Sequence, residues 1–203
     1  MKKTVIFGAG EYDGQLPAKD GAYIIAADAG LKKCLSAGFV PDAVIGDFDS
    51  LGRIPDAANV TVLPVEKDVT DLDAAVSSAL ENGAEEIHVY GGMGGRPDHT
   101  YANISLAARL SRKGIKAFLY GAGYTVTAVT DGELILSGEE GKTVSVFSFT
   151  DVSRGVYEEG LKYSLENAVL TSDFALGVSN SFASGRARIS VEKGTLIVMT
   201  ENS

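Results

Sequence analysis

The N-terminal part of the chain alternates short apolar runs with segments of helical periodicity. Each apolar run ends at or near Gly or Asp, and the runs are "TVIFGAG", "AYIIAAD", "DAVIGDFD", "VTVLPV", "EIHVYGG" and "KAFLYGA". Short apolar runs bounded by turn residues predict buried strands. Strands that alternate with helices form a mostly parallel sheet with helices on its faces. The pattern therefore predicts an α/β domain over residues 1–126.

Helical periodicity appears in three of the connecting segments. The predicted helices lie in "AGLKKCLSAG", "TDLDAAVSSALENG" and "HTYANISLAARLSRKG". In the second segment, Thr70 and Asp73 have the spacing of a capping box, and Gly83 is a typical helix end. These signals predict that this helix begins just after Thr70.

After about Val126 the helical periodicity fades and strand-like runs dominate. The runs are "GELILSG", "TVSVFSF", "GVYEEGLKY", "NAVLTS", "ARISVEKG" and "TLIVMTE". Polar and apolar residues alternate in several of them, as in half-buried antiparallel strands. The pattern predicts an antiparallel β-sandwich over residues 127–203, joined to the first domain near 126–132. Between two of the strands, "LGVSNSF" has the composition of a β-turn.

Composition narrows the class of protein. The chain has 203 residues, 45% of them apolar, and a formal net charge of −9. The absence of a Lys/Arg-rich run argues against a nucleic-acid partner bound through a basic patch. No apolar run approaches the ~20 residues of a membrane helix, so no membrane association is expected. With Cys34 as its one cysteine, the chain forms no internal disulfide, which fits a cytoplasmic protein.

Carboxylates follow the predicted strands. Asp28 ends the second run, Asp47 and Asp49 follow the third, and Asp68 and Asp71 follow the fourth. In open α/β sheets, ligands bind beyond the carboxyl ends of the strands, and carboxylate oxygens suit Mg²⁺ with substrate phosphates. Two interpretations without a metal stay open. The D-x-D pattern can arise by chance in a solvated loop, and Asp71 can serve only to complement the positive end of a helix dipole.

The segment "YGGMGGRPDHTYAN" is the most informative part of the chain. Glycines let the backbone approach a ligand, a helix start binds anions, and Arg96 is a bidentate donor for phosphate. The pattern indicates a phosphate-binding loop, although a flexible turn with Asp98 as the cap is an alternative. It lacks the GK[ST] of a Walker A loop. His99 is either a ligand contact or polar surface.

Five motifs occur together in a distinctive order: "ADAG", "PDAVIGDFDS", "EKDVTDLDAAV", "GGMGGRPDH" and "GVSNSF". In order and spacing they resemble the thiamine pyrophosphokinase family over essentially the whole chain. The resemblance implies an α/β domain and a C-terminal β-sandwich. It also implies a homodimer that holds thiamine between the α/β domain of one subunit and the β domain of its partner. The implied reaction moves the diphosphate of ATP to the thiamine hydroxyl and releases AMP.

The resemblance also implies roles for individual residues. Mg²⁺ is expected at Asp47, Asp49 and Asp71, and catalysis at Asp71, Arg96 and Asp98. Nucleotide contacts are expected at Asp28, Gly30, Lys67, Asp68, Gly94, Gly95, Arg96 and His99. Thiamine contacts are expected at Ser179, Asn180 and Phe182, where Phe182 would replace the aromatic residue that many members place near the S-N pair, since the chain has no Trp.

The chemistry leaves two choices open. Either Asp71 or Asp98 would accept the proton of the thiamine hydroxyl, because both follow strands at the same predicted edge. Two other functions compete with the kinase: a glycosyltransferase that binds a nucleotide-sugar through D-x-D and Mn²⁺, and a non-catalytic module that binds nucleotide or thiamine. The first accounts for "DFDS" but not for "GGMGGRPDH".

Overall fold

The protein was analysed as a computed structural model that describes residues 2–12, 16–18, 20–49, 52, 54–55, 57, 59–66 and 68–202. Within these ranges there are twelve strands and three helices. The helices are α1 (Gly30–Ser36), α2 (Asp71–Glu81) and α3 (Pro97–Ser111). The strands are β1 (Lys3–Phe7), β2 (Tyr23–Ala27), β3 (Ala43–Gly46), β4 (Val60–Val62), β5 (Glu86–Tyr90), β6 (Lys116–Gly121), β7 (Tyr124–Ser137), β8 (Thr143–Ser148), β9 (Val152–Glu159), β10 (Leu165–Thr171), β11 (Gly177–Ser181) and β12 (Arg186–Glu201).

The predicted mixed α/β class with three helices is confirmed. None of the helices found in the described ranges has both the length and the apolar character needed to cross a membrane. Contacts divide the chain into two compact units. The first comprises Met1–Asn103 and Leu119–Ala122, and the second comprises Ile104–Phe118 and Gly123–Ser203. The segment 126–132 lies inside β7, and the domain boundary at residue 126 stays a prediction.

The first unit contains a parallel sheet with strand order β5-β1-β2-β3-β4. Strands β1, β2 and β3 are buried along most of their length, as expected for parallel strands that are covered on both faces. From β1 the chain adds β2, β3 and β4 on one side and then returns to place β5 on the other. The strand order therefore reverses between β1 and β5, and a crevice opens beyond their carboxyl ends, at Phe7 and Tyr90.

Helix α2 begins where its capping signals predict. The Thr70 hydroxyl accepts a hydrogen bond from the backbone N–H of Asp73 at 3.1 Å, and the helix starts at Asp71. One buried face of α2 holds Leu72, Ala75, Val76 and Ala79. Because the cap and the apolar face agree, Asp71 is placed at the first position of the helix.

In the second unit the strands β7 to β12 pair with one another in antiparallel orientation. The long strand β12 pairs with β7, β8 and β9, while β10 pairs with β9 and β11 with β8. The prediction of a β-turn at "LGVSNSF" was wrong, because Gly177–Ser181 forms β11. Its pairing with β8 shifts register between Gly177 and Asn180, and this bulge explains the turn-like composition. The apolar core of this unit includes Val144, Val146, Val156, Phe182, Ile189 and Leu196.

Candidate functional site

A cavity of about 750 Å³ lies at the reversal of strand order in the first unit. Its walls come from the loops that follow β1, β2, β3 and β5 and from the starts of α2 and α3. Residues of four of the five motifs line it: Asp28, Asp47, Asp71, Gly94, Gly95, Arg96 and His99. The structure therefore brings most of the predicted nucleotide-site residues together at one place.

Three carboxylates cluster at this edge. One oxygen from each of Asp28, Asp47 and Asp49 lies within 4.8 Å of the other two. Gly46 makes this approach possible, because a Cβ there would lie only 3.0 Å from the Cα and Cβ of Asp28. The residue between the two aspartates, Phe48, is 2% exposed and has a φ of 59°. Its burial anchors the turn that carries Asp47 and Asp49.

This donor set fits a hard divalent cation. Three carboxylate oxygens converge, Asp28 and Asp47 are partly buried, and Asp49 is exposed. Carboxylate oxygens are the ligands that Mg²⁺ takes together with substrate phosphates. Like charges this close repel each other, and a bound cation removes that repulsion. The set differs from the predicted one, since Asp28 joins Asp47 and Asp49, whereas Asp71 lines the same cavity from α2.

The other predicted residues near α1 and α2 have different positions. Asp68 is exposed and is not among the residues that line the cavity. Lys67 lies outside the described residues. Gly30 packs at the start of α1, where a Cβ would lie 2.0 Å from the carbonyl oxygen of Phe7. Glycine at position 30 is thus required by the close contact of α1 with β1.

Two loops interlock at the crevice. Backbone N–H groups of Gly8, Gly10 and Glu11 donate to the carbonyl oxygens of Tyr90, Gly91 and Met93 at 2.8, 2.9 and 2.7 Å. In return, the N–H of Gly95 donates to Oε1 of Glu11 at 3.1 Å. The loop after β1 and the glycine loop after β5 therefore support each other, and Glu11 closes the connection.

The glycine at position 94 is required by packing as well as by backbone conformation. Gly94 has a φ of 84°, and a Cβ there would lie 2.6 Å from the Cγ and Cδ of Glu11. Gly95 has a φ of 71°, and a Cβ there would meet nothing within 4 Å among the described atoms. The two glycines therefore share the backbone constraint but differ in the space beside them.

We expect Gly94→Ala to reduce the free energy of unfolding by at least about 1 kcal/mol more than Gly95→Ala does. Both substitutions strain a positive φ, so the difference isolates the collision with Glu11. Urea unfolding of the two variants measures it. Equal losses would show that Glu11 does not occupy the space beside Gly94.

Arg96 is paired with Asp98 at the start of α3. Nε of Arg96 donates to one carboxylate oxygen of Asp98 at 3.1 Å, and the second guanidinium nitrogen donates to the other at 2.6 Å. This pairing lowers the pKa of Asp98 to about 2. At neutral pH Asp98 is therefore a charged partner of Arg96 and a weak proton acceptor. Of the two predicted proton acceptors, Asp71 is the one that lines the cavity.

Three residues of the site were missed by sequence reasoning: Glu11, Lys33 and Asn103. The Nζ of Lys33 donates to the carbonyl oxygens of Ala9, at 3.1 Å, and Gly10, so α1 is tied to the loop after β1. Partial burial lowers the pKa of Lys33. The buried amide of Asn103 donates to the carbonyl of Gly92 at 2.7 Å. Each of these side chains forms a hydrogen bond with the backbone of a loop that is distant in the sequence. No local sequence pattern predicts such a contact.

The residues of the S-N segment lie in the second unit. Ser179 is exposed with a φ of 59°, and Asn180 is 6% exposed. The ring of Phe182 is 2% exposed and belongs to the apolar core. A ring in this position has no face available for stacking, so the burial does not support Phe182 as a thiamine contact.

Comparison with known proteins identifies the family. Residues 16–119 match the profile described as "Thiamin pyrophosphokinase, catalytic domain", and residues 133–196 match "Thiamin pyrophosphokinase, vitamin B1 binding domain". The chain is 35% identical over 184 residues to the thiamine pyrophosphokinase of Bacillus subtilis, covering 86% of this chain and 85% of that protein. It is 29% identical over 171 residues to thiamin pyrophosphokinase 1 of Caenorhabditis elegans, covering 78% and 70% of the two.

Solved structures agree. The crystal structure of the Bacillus subtilis thiamine pyrophosphokinase superposes with a TM-score of 0.85 at 28% identity and covers 99% of both chains. Thiamin pyrophosphokinase from Candida albicans, at 13% identity, shares the fold with a TM-score of 0.76 over 98% of this chain and 89% of that one. Both family profiles and a relative above 30% identity thus converge, and the chain belongs to the thiamin pyrophosphokinase family.

Proposed function

We propose that this protein transfers the diphosphate group of ATP to the hydroxyl of thiamine, giving thiamine diphosphate and AMP. The observation that carries the proposal is the cavity at the β1–β5 crevice. In a chain of this family it combines carboxylates that fit a divalent cation with Arg96 and a glycine loop. A polyphosphate bound by an acidic protein needs both features, because its charge must be neutralised locally.

The cation we propose is Mg²⁺, held by Asp28, Asp47 and Asp49, with Asp71 on the same wall. When bound, Mg²⁺ would supply positive charge to the phosphates and orient them. The convergence of three carboxylate oxygens within 4.8 Å supports this assignment. Asp28 replaces Asp71 in the set expected from the motifs, since Asp28 is the residue whose oxygen approaches the D-x-D pair.

The residues of this chain supply binding and charge for the transfer. The thiamine hydroxyl oxygen bonds to the β-phosphorus, and the bond from that phosphorus to the oxygen bridging the α-phosphate breaks. Arg96 takes up negative charge on the phosphate oxygens once the nucleotide competes with Asp98 for its guanidinium. Asp71 accepts the hydroxyl proton. Lys33 adds a second cation on the cavity wall.

We further propose that the antiparallel strands after residue 126 form a β-sandwich that carries the thiamine-binding surface. Ser179 belongs to this surface because it is exposed in the segment matched by the vitamin B1 binding profile.

The homodimer expected from the family is proposed as well. The exposed apolar side chains that the second unit offers for such a contact are Val152, Val169, Phe174, Leu176 and Val178. Exposed apolar surface is what a subunit contact would bury. The mass in solution, measured by light scattering, tests the homodimer. The cytoplasm is the compartment we propose for the protein.

Incubation of the purified protein with ATP, Mg²⁺ and thiamine tests the function. We expect AMP and thiamine diphosphate in equal amounts, with no ADP formed. Binding of thiamine and ATP without product would favour a non-catalytic module. Hydrolysis or transfer of a nucleotide-sugar with Mn²⁺, and no thiamine diphosphate, would favour the glycosyltransferase.

A further inference from the structure

A carboxylate is buried in the apolar core of the second unit. Glu158, near the end of β9, is 0% exposed and pairs across the sheet with Ile189 of β12, a residue of the apolar core. Its Oε2 accepts one hydrogen bond, from Nδ2 of Asn180 at 3.1 Å. Its Oε1 is buried and has no hydrogen-bond partner among the described residues. Burying such a group costs free energy unless it is fully paired, so its presence calls for an explanation.

The absence of a side chain at Gly177 leaves space for this carboxylate. A Cβ on Gly177, the first residue of β11, would lie 3.2 Å from Oε1 of Glu158 and 2.5 Å from the carbonyl oxygen of Val146. Any larger residue would therefore push β11 away from both groups. Burial raises the pKa of Glu158 to about 7, as expected for a carboxyl removed from water.

The partner of Glu158 uses its whole hydrogen-bonding capacity inside the chain. Nδ2 of Asn180 donates to Glu158 and to the carbonyl of Tyr163, the second at 2.6 Å. Oδ1 of Asn180 accepts from the N–H groups of Tyr163, at 3.0 Å, and Ser181, at 2.9 Å. A primary amide offers two donors and two acceptor sites. In this conformation Asn180 has no capacity left for a ligand, and it instead joins β9, β11 and the turn at Tyr163.

These bonds hold the backbone where strand pairing fails. The pairing of β11 with β8 is interrupted between Gly177 and Asn180, and the N–H of Ser179 is held by the hydroxyl of Ser145 at 3.1 Å. Asn180 binds both backbone groups of Tyr163, yet the side chain of Tyr163 is 62% exposed. The backbone is thus fixed while the Ser179 hydroxyl and the Tyr163 ring are presented to solvent.

We propose that Glu158 is a positioning residue for thiamine binding: it orients the Asn180 amide, which in turn fixes the backbone of Tyr163 and Ser181. Tyr163 and Ser179, the residue before Asn180, are thereby held as the surface that meets the thiamine rings. The proposal rests on the proposed function. It changes the expected role of Asn180 from a direct thiamine contact to the connection between Glu158 and the contact residues. An apolar residue of similar volume would serve stability alone at least as well, because it would bury no polar group.

The test compares Glu158→Ala with the conservative Glu158→Gln. Gln keeps an oxygen that accepts from Nδ2 of Asn180, whereas Ala removes it. We expect Glu158→Ala to raise the KM for thiamine at least about tenfold and to leave the KM for ATP unchanged, while Glu158→Gln restores a KM for thiamine near that of the parent. Hydrogen exchange should report the same change, with faster exchange of the Tyr163 and Ser181 amides in Glu158→Ala only.

Val156→Ala is the matched control. Val156 is 0% exposed, lies two residues before Glu158 on the same strand, and has no polar atom in its side chain. It should lower the Tm without changing the KM for thiamine or the exchange of those two amides. If Glu158→Ala does not fold, Asn180→Asp replaces it, since an added carboxylate oxygen faces Glu158 and the Tyr163 carbonyl and should raise the KM for thiamine likewise.

Two results overturn the inference: an unchanged KM for thiamine in Glu158→Ala, or in Asn180→Asp where that variant replaces it, and an equal increase in Val156→Ala. A parent protein that makes no thiamine diphosphate overturns the proposed function instead. In that case thiamine binding by calorimetry, together with the amide exchange, still decides the role of Glu158.

Discussion

Asp47→Asn is expected to lower kcat at least about 100-fold while the Tm stays the same or rises. The substitution removes one negative oxygen from the cluster of Asp28, Asp47 and Asp49, which costs several kcal/mol of charge stabilisation for a metal-bound polyphosphate. Stability should not fall, because Asn keeps the oxygen that accepts the 3.3 Å hydrogen bond from the N–H of Asp49. Relief of the repulsion between neighbouring carboxylates acts in the same direction.

Steady-state kinetics across a Mg²⁺ titration, together with thermal unfolding, measures both effects. Asp173→Asn is the control, since it removes an exposed carboxylate of the second unit and should change neither kcat nor Tm. Asp28→Asn should resemble Asp47→Asn and raise the Mg²⁺ concentration needed for half activity. A large fall in Tm for Asp47→Asn, with activity recovered at high Mg²⁺, would make Asp47 a structural residue.

Arg96→Met is expected to lower kcat/KM for ATP at least about 100-fold, and Arg96→Lys to recover only part of it. Met removes the charge that the phosphates require on this wall of the cavity. Lys restores the charge but not the planar pair of donors that now binds both oxygens of Asp98. Kinetics at varied ATP and fixed thiamine measures the loss. If Arg96→Met left kcat/KM within about threefold of the parent, another cation, Lys33 above all, would carry the phosphate charge.

The pairing of Arg96 with Asp98 gives this prediction a pH test. Because the guanidinium lowers the pKa of Asp98 to about 2, Asp98 is ionised throughout the range of an ordinary assay. Any loss of activity below about pH 6 must then come from another group. Asp98→Asn should still lose activity below about pH 6 (the acidic limb of the pH profile). It should lower kcat/KM for ATP by a smaller factor than Arg96→Met does. Loss of both turnover and the acidic limb in Asp98→Asn would identify Asp98 as the proton acceptor.

Local signals in the sequence predicted the elements that depend on local physics. The cap of α2 at Thr70 was predicted because one side chain bonds to an N–H three residues away. The approach of Asp28 to Asp47 and Asp49 was predictable from topology, since the ends of adjacent parallel strands share one edge. What topology alone did not give was how closely Asp28 approaches the pair. That approach depends on Gly46, which has no side chain to hold Asp28 away.

Contacts between distant segments were not predictable from single motifs. Glu11 ends an apolar run in the sequence, and nothing near it indicates an acceptor for Gly95, which lies 84 residues away. A turn was predicted at "LGVSNSF" because the register of this strand shifts and its backbone is held by a side chain from another strand, which the local pattern of polar and apolar residues does not predict. Glu158 lies in a run that ends in two glutamates, and only the fold shows that one of them is buried.

The interlocked loops at the crevice have a mechanical consequence. Since the loop after β1 and the glycine loop exchange hydrogen bonds in both directions, neither can swing outward alone without breaking several of them. The first loop is also tied to α1 through Lys33. A nucleotide that displaces the glycine loop would therefore shift the first loop and α1 with it. We therefore expect the two loops and α1 to move together when a nucleotide enters or leaves.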